Sequence, residues 1–79
     1  MDKITKFLLK LSLSERIILL EILEQISNLH LDNLDVKKLA GETDLFRVRK
    51  GKIRIIFRKV GQKGMIVNID YRGDVYKDL

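Results

Sequence analysis

The stretch LFRVRKGKIRIIFRKVGQKGMIVNIDYR, residues 45–72, decides the fold. Its apolar residues fall at every second position: Phe46 and Val48, then Ile53, Ile55 and Phe57, then Met65, Val67, Ile69 and Tyr71. A period of two belongs to a β-strand with one buried face, because successive side chains leave the pleat on opposite sides. Lys50-Gly51 and Gly61-Gln62-Lys63-Gly64 part the three runs and are short enough for hairpins. The segment therefore reads as a three-stranded antiparallel meander. Its second face displays Arg47, Arg49, Arg54, Arg58 and Arg72, interrupted by Ile56 and Ile66.

Upstream the period changes. Ile4, Phe7, Leu8 and Leu11 recur at i, i+3, i+4 and i+7, the spacing of one helical face, which predicts a short amphipathic helix over residues 2–12. Ser12 and Ser14 are turn and cap types, and Glu15 suits the positive end of a following helix dipole. That second helix is expected over residues 15–28. It buries Ile18, Leu19, Ile22, Leu23, Ile26 and Leu29 and leaves Ile17 and Leu20 off the stripe. From Leu29 to Leu39 the pattern is irregular, with Asp and Asn at turn positions, and Gly41 ends it. The fold expected is α+β: two N-terminal helices on one face of a three-stranded antiparallel sheet, one domain over residues 1–79.

Composition narrows the function. There is no cysteine and one histidine, His30, so a disulfide framework and a thiolate or histidine metal site are not expected. The longest apolar run, Ile17 to Ile26, carries Glu21, Glu24 and Gln25 and is about half the ~20 residues of a membrane span. The start of the chain lacks the layout of a secretion signal, and a cytoplasmic address is expected. Charge is divided unevenly: residues 1–44 hold six Lys/Arg against eight Asp/Glu, whereas residues 45–79 hold ten against three. The second half is where a polyanion would bind.

An arginine-rich outer strand face is, at its simplest, a solvated surface. Here the excess is of one sign, and arginine outnumbers lysine on the strands. Arginine grips phosphate with two parallel hydrogen bonds, so nucleic-acid binding is favoured modestly over a merely wet face.

Three segments carry a resemblance: Leu39-Ala40-Gly41-Glu42-Thr43-Asp44-Leu45-Phe46-Arg47-Val48-Arg49, then Gly51-Lys52-Ile53-Arg54-Ile55-Ile56-Phe57, then Ile69-Asp70-Tyr71-Arg72-Gly73-Asp74-Val75-Tyr76-Lys77. Their order and spacing resemble the RelE/ParE superfamily of toxins from type II toxin–antitoxin systems. There a Leu-x-Gly precedes an aromatic-Arg-x-Arg strand, a Gly-x-x-Arg strand follows, and an Arg-x-x-x-Tyr segment closes the sheet. The resemblance covers about half the chain.

What it implies is a ribosome-dependent endoribonuclease that cleaves messenger RNA in the ribosomal A site and inhibits translation, without metal or cofactor. Its partners would be a cognate antitoxin protein, and messenger RNA on the ribosome with contacts to 16S ribosomal RNA. By position, Arg54, Arg72 and Tyr76 match the catalytic group, and Arg47, Arg49, Arg58 and Lys52 would hold the RNA. Tyr76 reads equally well as a residue packed on the sheet. Asp70 departs from the pattern, standing where some nuclease members carry a basic residue. The strand that usually precedes the first helix is also missing, which would leave a sheet edge open. Two rival readings stay open: a ParE-like inhibitor of DNA gyrase, and an inactive descendant that binds RNA or antitoxin without cutting.

Overall fold

The structure is a computed structural model and describes residues 2–39, 41 and 43–72. Two helices, α1 (Lys3–Leu9) and α2 (Leu13–Ser27), precede four strands: β1 (Asp35–Lys38), β2 (Leu45–Lys50), β3 (Ile53–Val60) and β4 (Lys63–Tyr71). The strands form one antiparallel sheet in the order β1-β2-β3-β4.

Both helices start at a side-chain cap. The Asp2 carboxylate accepts from the Thr5 amide at 2.8 Å, and the Ser12 hydroxyl accepts from the Glu15 amide at 3.3 Å while donating to the Glu15 carboxylate at 2.9 Å. Each satisfies an amide that the first helical turn leaves without an internal partner. Ser12, rather than Ser14, is thus the cap of α2, and the helix begins two residues earlier than its apolar spacing suggests. Arg16 folds back to the end of α1, where its Nε donates to the Leu8 carbonyl at 3.0 Å and its Nη2 to the Leu11 carbonyl at 3.2 Å. One side chain therefore closes one helix and fixes the angle at which the next leaves it.

The helices cover one face of the sheet. Phe7 and Leu11 join Leu19, Ile22 and Ile26 over Val48, Ile53, Ile55, Phe57 and Ile69. Ile18, expected in this stripe, is largely exposed, as are Leu13, Ile17 and Leu20 on the outer side of α2. No helix among the described residues is long and apolar enough to cross a membrane.

The structure corrects the expected three-stranded sheet. Residues 35–38 form a fourth strand, with Val36 opposite Val48 and Lys38 opposite Phe46. Asp-Val-Lys-Lys holds a single apolar residue, so no alternation marks it; the backbone partners come from the edge of β2. The strand is made by pairing, not by its own pattern.

A second correction concerns β4. Its register on β3 shifts between Ile56 and Phe57, so that Phe57 stands opposite Ile66 and Ile56 opposite Asn68, with Val67 as the extra residue of a bulge. A bulge reverses the alternation on one side of it. Ile66 therefore packs against the core, while Met65 and Val67, expected to be inward, are exposed.

Candidate nucleic-acid interface

The face of the sheet turned away from the helices is built by three cross-strand rows. Lys37, Arg47, Ile56 and Asn68 form one, and Asp35, Arg49, Arg54 and Asp70 the next, toward the β2–β3 turn. Leu45, Arg58 and Met65 form the third, at the opposite end. Residues directly opposite in such rows lie within about 4.5–5.5 Å at Cβ, so the register alone sets Arg49 beside Arg54.

This face is not uniformly wet. β3 is buried on both sides from Ile53 to Phe57. Ile56 is fully buried and forms a small apolar cluster with Leu45, against which Leu39 packs. Asn68 is buried beside it, with its side-chain oxygen on the Ile69 amide at 3.0 Å. Most consequentially, Arg54 is only 7% exposed. Its Nη1 donates to the carbonyls of Gly51, at 2.6 Å, and Ile53, at 3.1 Å. Gly51 takes a positive φ of 57°, which glycine adopts without steric penalty, and this bend turns its carbonyl within reach of Arg54.

The other predicted residues divide by position. Arg49 and Lys52 are exposed near the β2–β3 turn. Arg72, the last described residue, is also exposed, and its amide donates to the Lys52 carbonyl at 2.8 Å. Arg49, Lys52, Arg54 and Arg72 are thus gathered at one end of the sheet. Arg58 lies at the other end, paired with Asp44 at 2.6 Å. Arg47 sits between, half-buried. Tyr76 lies outside the described residues, and His30 is exposed in the turn that ends α2.

Carboxylates temper the basic charge. Asp35 reaches Arg49 Nε at 2.7 Å and Arg47 Nη2 at 3.6 Å. Asp70 stands opposite Arg54 and meets Lys3 at 3.6 Å. The sequence gives no sign that Asp35 belongs here, because the residue becomes part of the face only when β1 pairs with β2. Asp44, just before β2, could have been suspected from its nearness to the strand in sequence.

The arrangement can hold an anion through several guanidinium and ammonium groups at one end of a sheet, in the manner of a phosphate-tracking surface. Comparison with family models, with curated proteins and with solved structures returns no significant match.

Proposed function

We propose that this chain is the toxin of a type II toxin–antitoxin pair and acts as a ribosome-dependent endoribonuclease on messenger RNA in the A site. The observation that carries the reading is the gathering of Arg49, Lys52, Arg54 and Arg72 at one end of the sheet, with Arg47 beside them. These are five of the seven residues that the likeness to RelE/ParE toxins singles out; Arg58 lies at the other end of the sheet, and Tyr76 lies outside the described residues.

In the proposed reaction the ribose 2′-oxygen bonds to the adjacent phosphorus and the bond from phosphorus to the 5′-oxygen breaks. The products are a 2′,3′-cyclic phosphate and a 5′-hydroxyl. The nucleophile belongs to the RNA, so the protein has to stabilise charge on the phosphate and move a proton from the 2′-hydroxyl to the leaving oxygen. Arg47 and Arg49 hold the backbone, Arg58 extends that hold, and Arg72 and Lys52 face the reacting phosphate. Arg54, tied to the Gly51 and Ile53 carbonyls, acts as a positioning residue that fixes the β2–β3 turn and adds positive potential. Tyr76 is assigned proton transfer or base stacking from the resemblance. A phenol of ordinary pKa near ~10 needs such neighbouring cations to act as a base.

One observation favours a second reading, a protein that binds RNA without cutting it: the Arg54 guanidinium is engaged by turn carbonyls and Asp70 stands across from it. Cell-free translation and a gyrase supercoiling assay, run with the same purified protein, separate the possibilities. Arrested translation accompanied by cleaved message supports the nuclease. Arrest without cleavage supports the binder, and inhibited supercoiling with normal translation supports a gyrase-directed toxin.

A cognate antitoxin belongs to the proposal. The exposed Leu13, Ile17 and Leu20 on α2, and β4, an edge strand of the sheet among the described residues, are surfaces on which a partner can bury apolar area or add a strand.

A further inference from the structure

Arg47 and Arg49 stand two residues apart on β2 and so project from the same face of the strand. They converge on a single carboxylate, that of Asp35, from the neighbouring edge strand. Arg49 Nε lies 2.7 Å from Asp35 Oδ2, and Arg47 Nη2 lies 3.6 Å from Asp35 Oδ1. Each arginine takes one oxygen, which is the pattern by which two guanidinium groups share a phosphate. The fit is unequal. Arg49 is held at hydrogen-bond distance, whereas Arg47 is only approached, and its Nε is buried without a hydrogen-bond partner among the described residues. Arg47 thus keeps donor capacity that Asp35 does not meet.

The surroundings suit displacement of the carboxylate. The Asp35 side chain is 45% exposed, at the first position of a four-residue edge strand. Lys37, which stands opposite Arg47 and is exposed, adds a third cation to the same edge. A phosphodiester oxygen pair is tetrahedral and spreads its oxygens farther than a carboxylate does. It can meet Arg47 and Arg49 together where Asp35 satisfies only one.

We propose that Arg47 and Arg49 form a phosphate clamp that Asp35 occupies in the free protein as an internal competing anion, so that RNA binds by displacing Asp35. The inference rests on the RNA-binding reading given above and deepens it, because it makes Asp35 the residue that sets the affinity of that site.

The test is binding of a fluorescent single-stranded uridine oligonucleotide by anisotropy over a range of salt, to the wild-type protein, Asp35→Asn and Asp32→Asn. Asp32→Asn changes the net charge equally from an exposed turn and serves as the control. Asp35→Asn is expected to tighten binding several-fold beyond Asp32→Asn. It should also steepen the dependence of log K on log salt by roughly 0.7 for each additional phosphate engaged. The gain should vanish when Arg49→Ala is added to Asp35→Asn.

Titration of the wild-type protein with inorganic phosphate, following the Arg49 Nε–H resonance, needs no substitution and is expected to show saturable movement of that signal. Equal affinities for Asp35→Asn and Asp32→Asn, with steep salt dependence in all three proteins, would overturn the clamp and leave RNA binding intact. Absence of RNA binding by every protein, with phosphate still moving Arg49, would overturn the RNA reading and leave the clamp intact. Weaker binding by Asp35→Asn would make Asp35 an orienting partner and overturn the inference.

Discussion

Gly64→Ala probes the contact by which the β3–β4 hairpin seats on α2. A Cβ at Gly64 would run into the Ile26 carbonyl oxygen and lie 3.0 Å from the carbonyl carbon and 3.1 Å from the Ile26 Cγ2. Ordinary contacts between carbon atoms begin at roughly 3.5 Å, so helix and hairpin would have to separate by about an ångström. Neither side yields freely. Ile26 is fully buried in the core, and its carbonyl accepts the Leu29 amide at 3.0 Å in the turn that ends α2. Leu29 holds a left-handed φ of 56°, so little adjustment is left there. Overpacking of this kind costs roughly 1–3 kcal/mol. In a domain of this size each kcal/mol lowers Tm by roughly 4–8 °C. Thermal unfolding by circular dichroism reads the shift. Gly51→Asn is the control: a Cβ there meets nothing within 4 Å and asparagine tolerates the left-handed region, so Tm should stay near wild type. A Gly64→Ala protein that unfolds at or above the wild-type temperature would refute the close-approach argument.

Arg54→Ala is expected to destabilise by roughly 1.5–3 kcal/mol, because it removes a charged donor from two turn carbonyls; wild-type stability would deny Arg54 its positioning role. The Thr5 amide that donates to Asp2 holds that carboxyl below its ordinary range, so the cap on α1 is present above the unfolded pKa and is lost as pH falls through the folded one. Amide exchange in α1 should therefore quicken at acid pH, and Asp2→Asn, which still caps, should flatten that response; identical profiles for the two proteins would count against it. RNA binding should weaken steeply with salt as phosphate contacts release counterions, whereas a flat response would mark the outer face as solvated surface only.

How much of this was legible in the sequence depends on where the signal resided. α2 and the core of β2 and β3 carry their own period, and Leu19, Ile22, Ile26, Val48, Ile55 and Phe57 lie inside as that period requires. β1 carries none, since Asp35–Lys38 becomes a strand only through the edge of β2. The bulge at Val67 was hidden because Met65, Ile66 and Val67 are all apolar and support either phase of alternation. The basic residues of the site were legible as a one-signed charge excess. Their condition was not: Arg54 is drawn down to the turn it follows, and Asp35 reaches Arg47 and Arg49 from a strand that the pattern did not announce.

Toeprinting of a defined messenger RNA on programmed ribosomes, with the wild-type protein beside an Arg49→Ala, Arg72→Ala variant, decides whether this chain cuts RNA and whether these arginines are needed for it. Both substituted side chains are exposed, so the variant is expected to fold as the wild type does. New cuts in the A site are expected with the wild-type protein, and their loss in the variant. Folded wild-type protein that leaves the message whole, or a variant that cuts as well as the wild type, would contradict the nuclease reading.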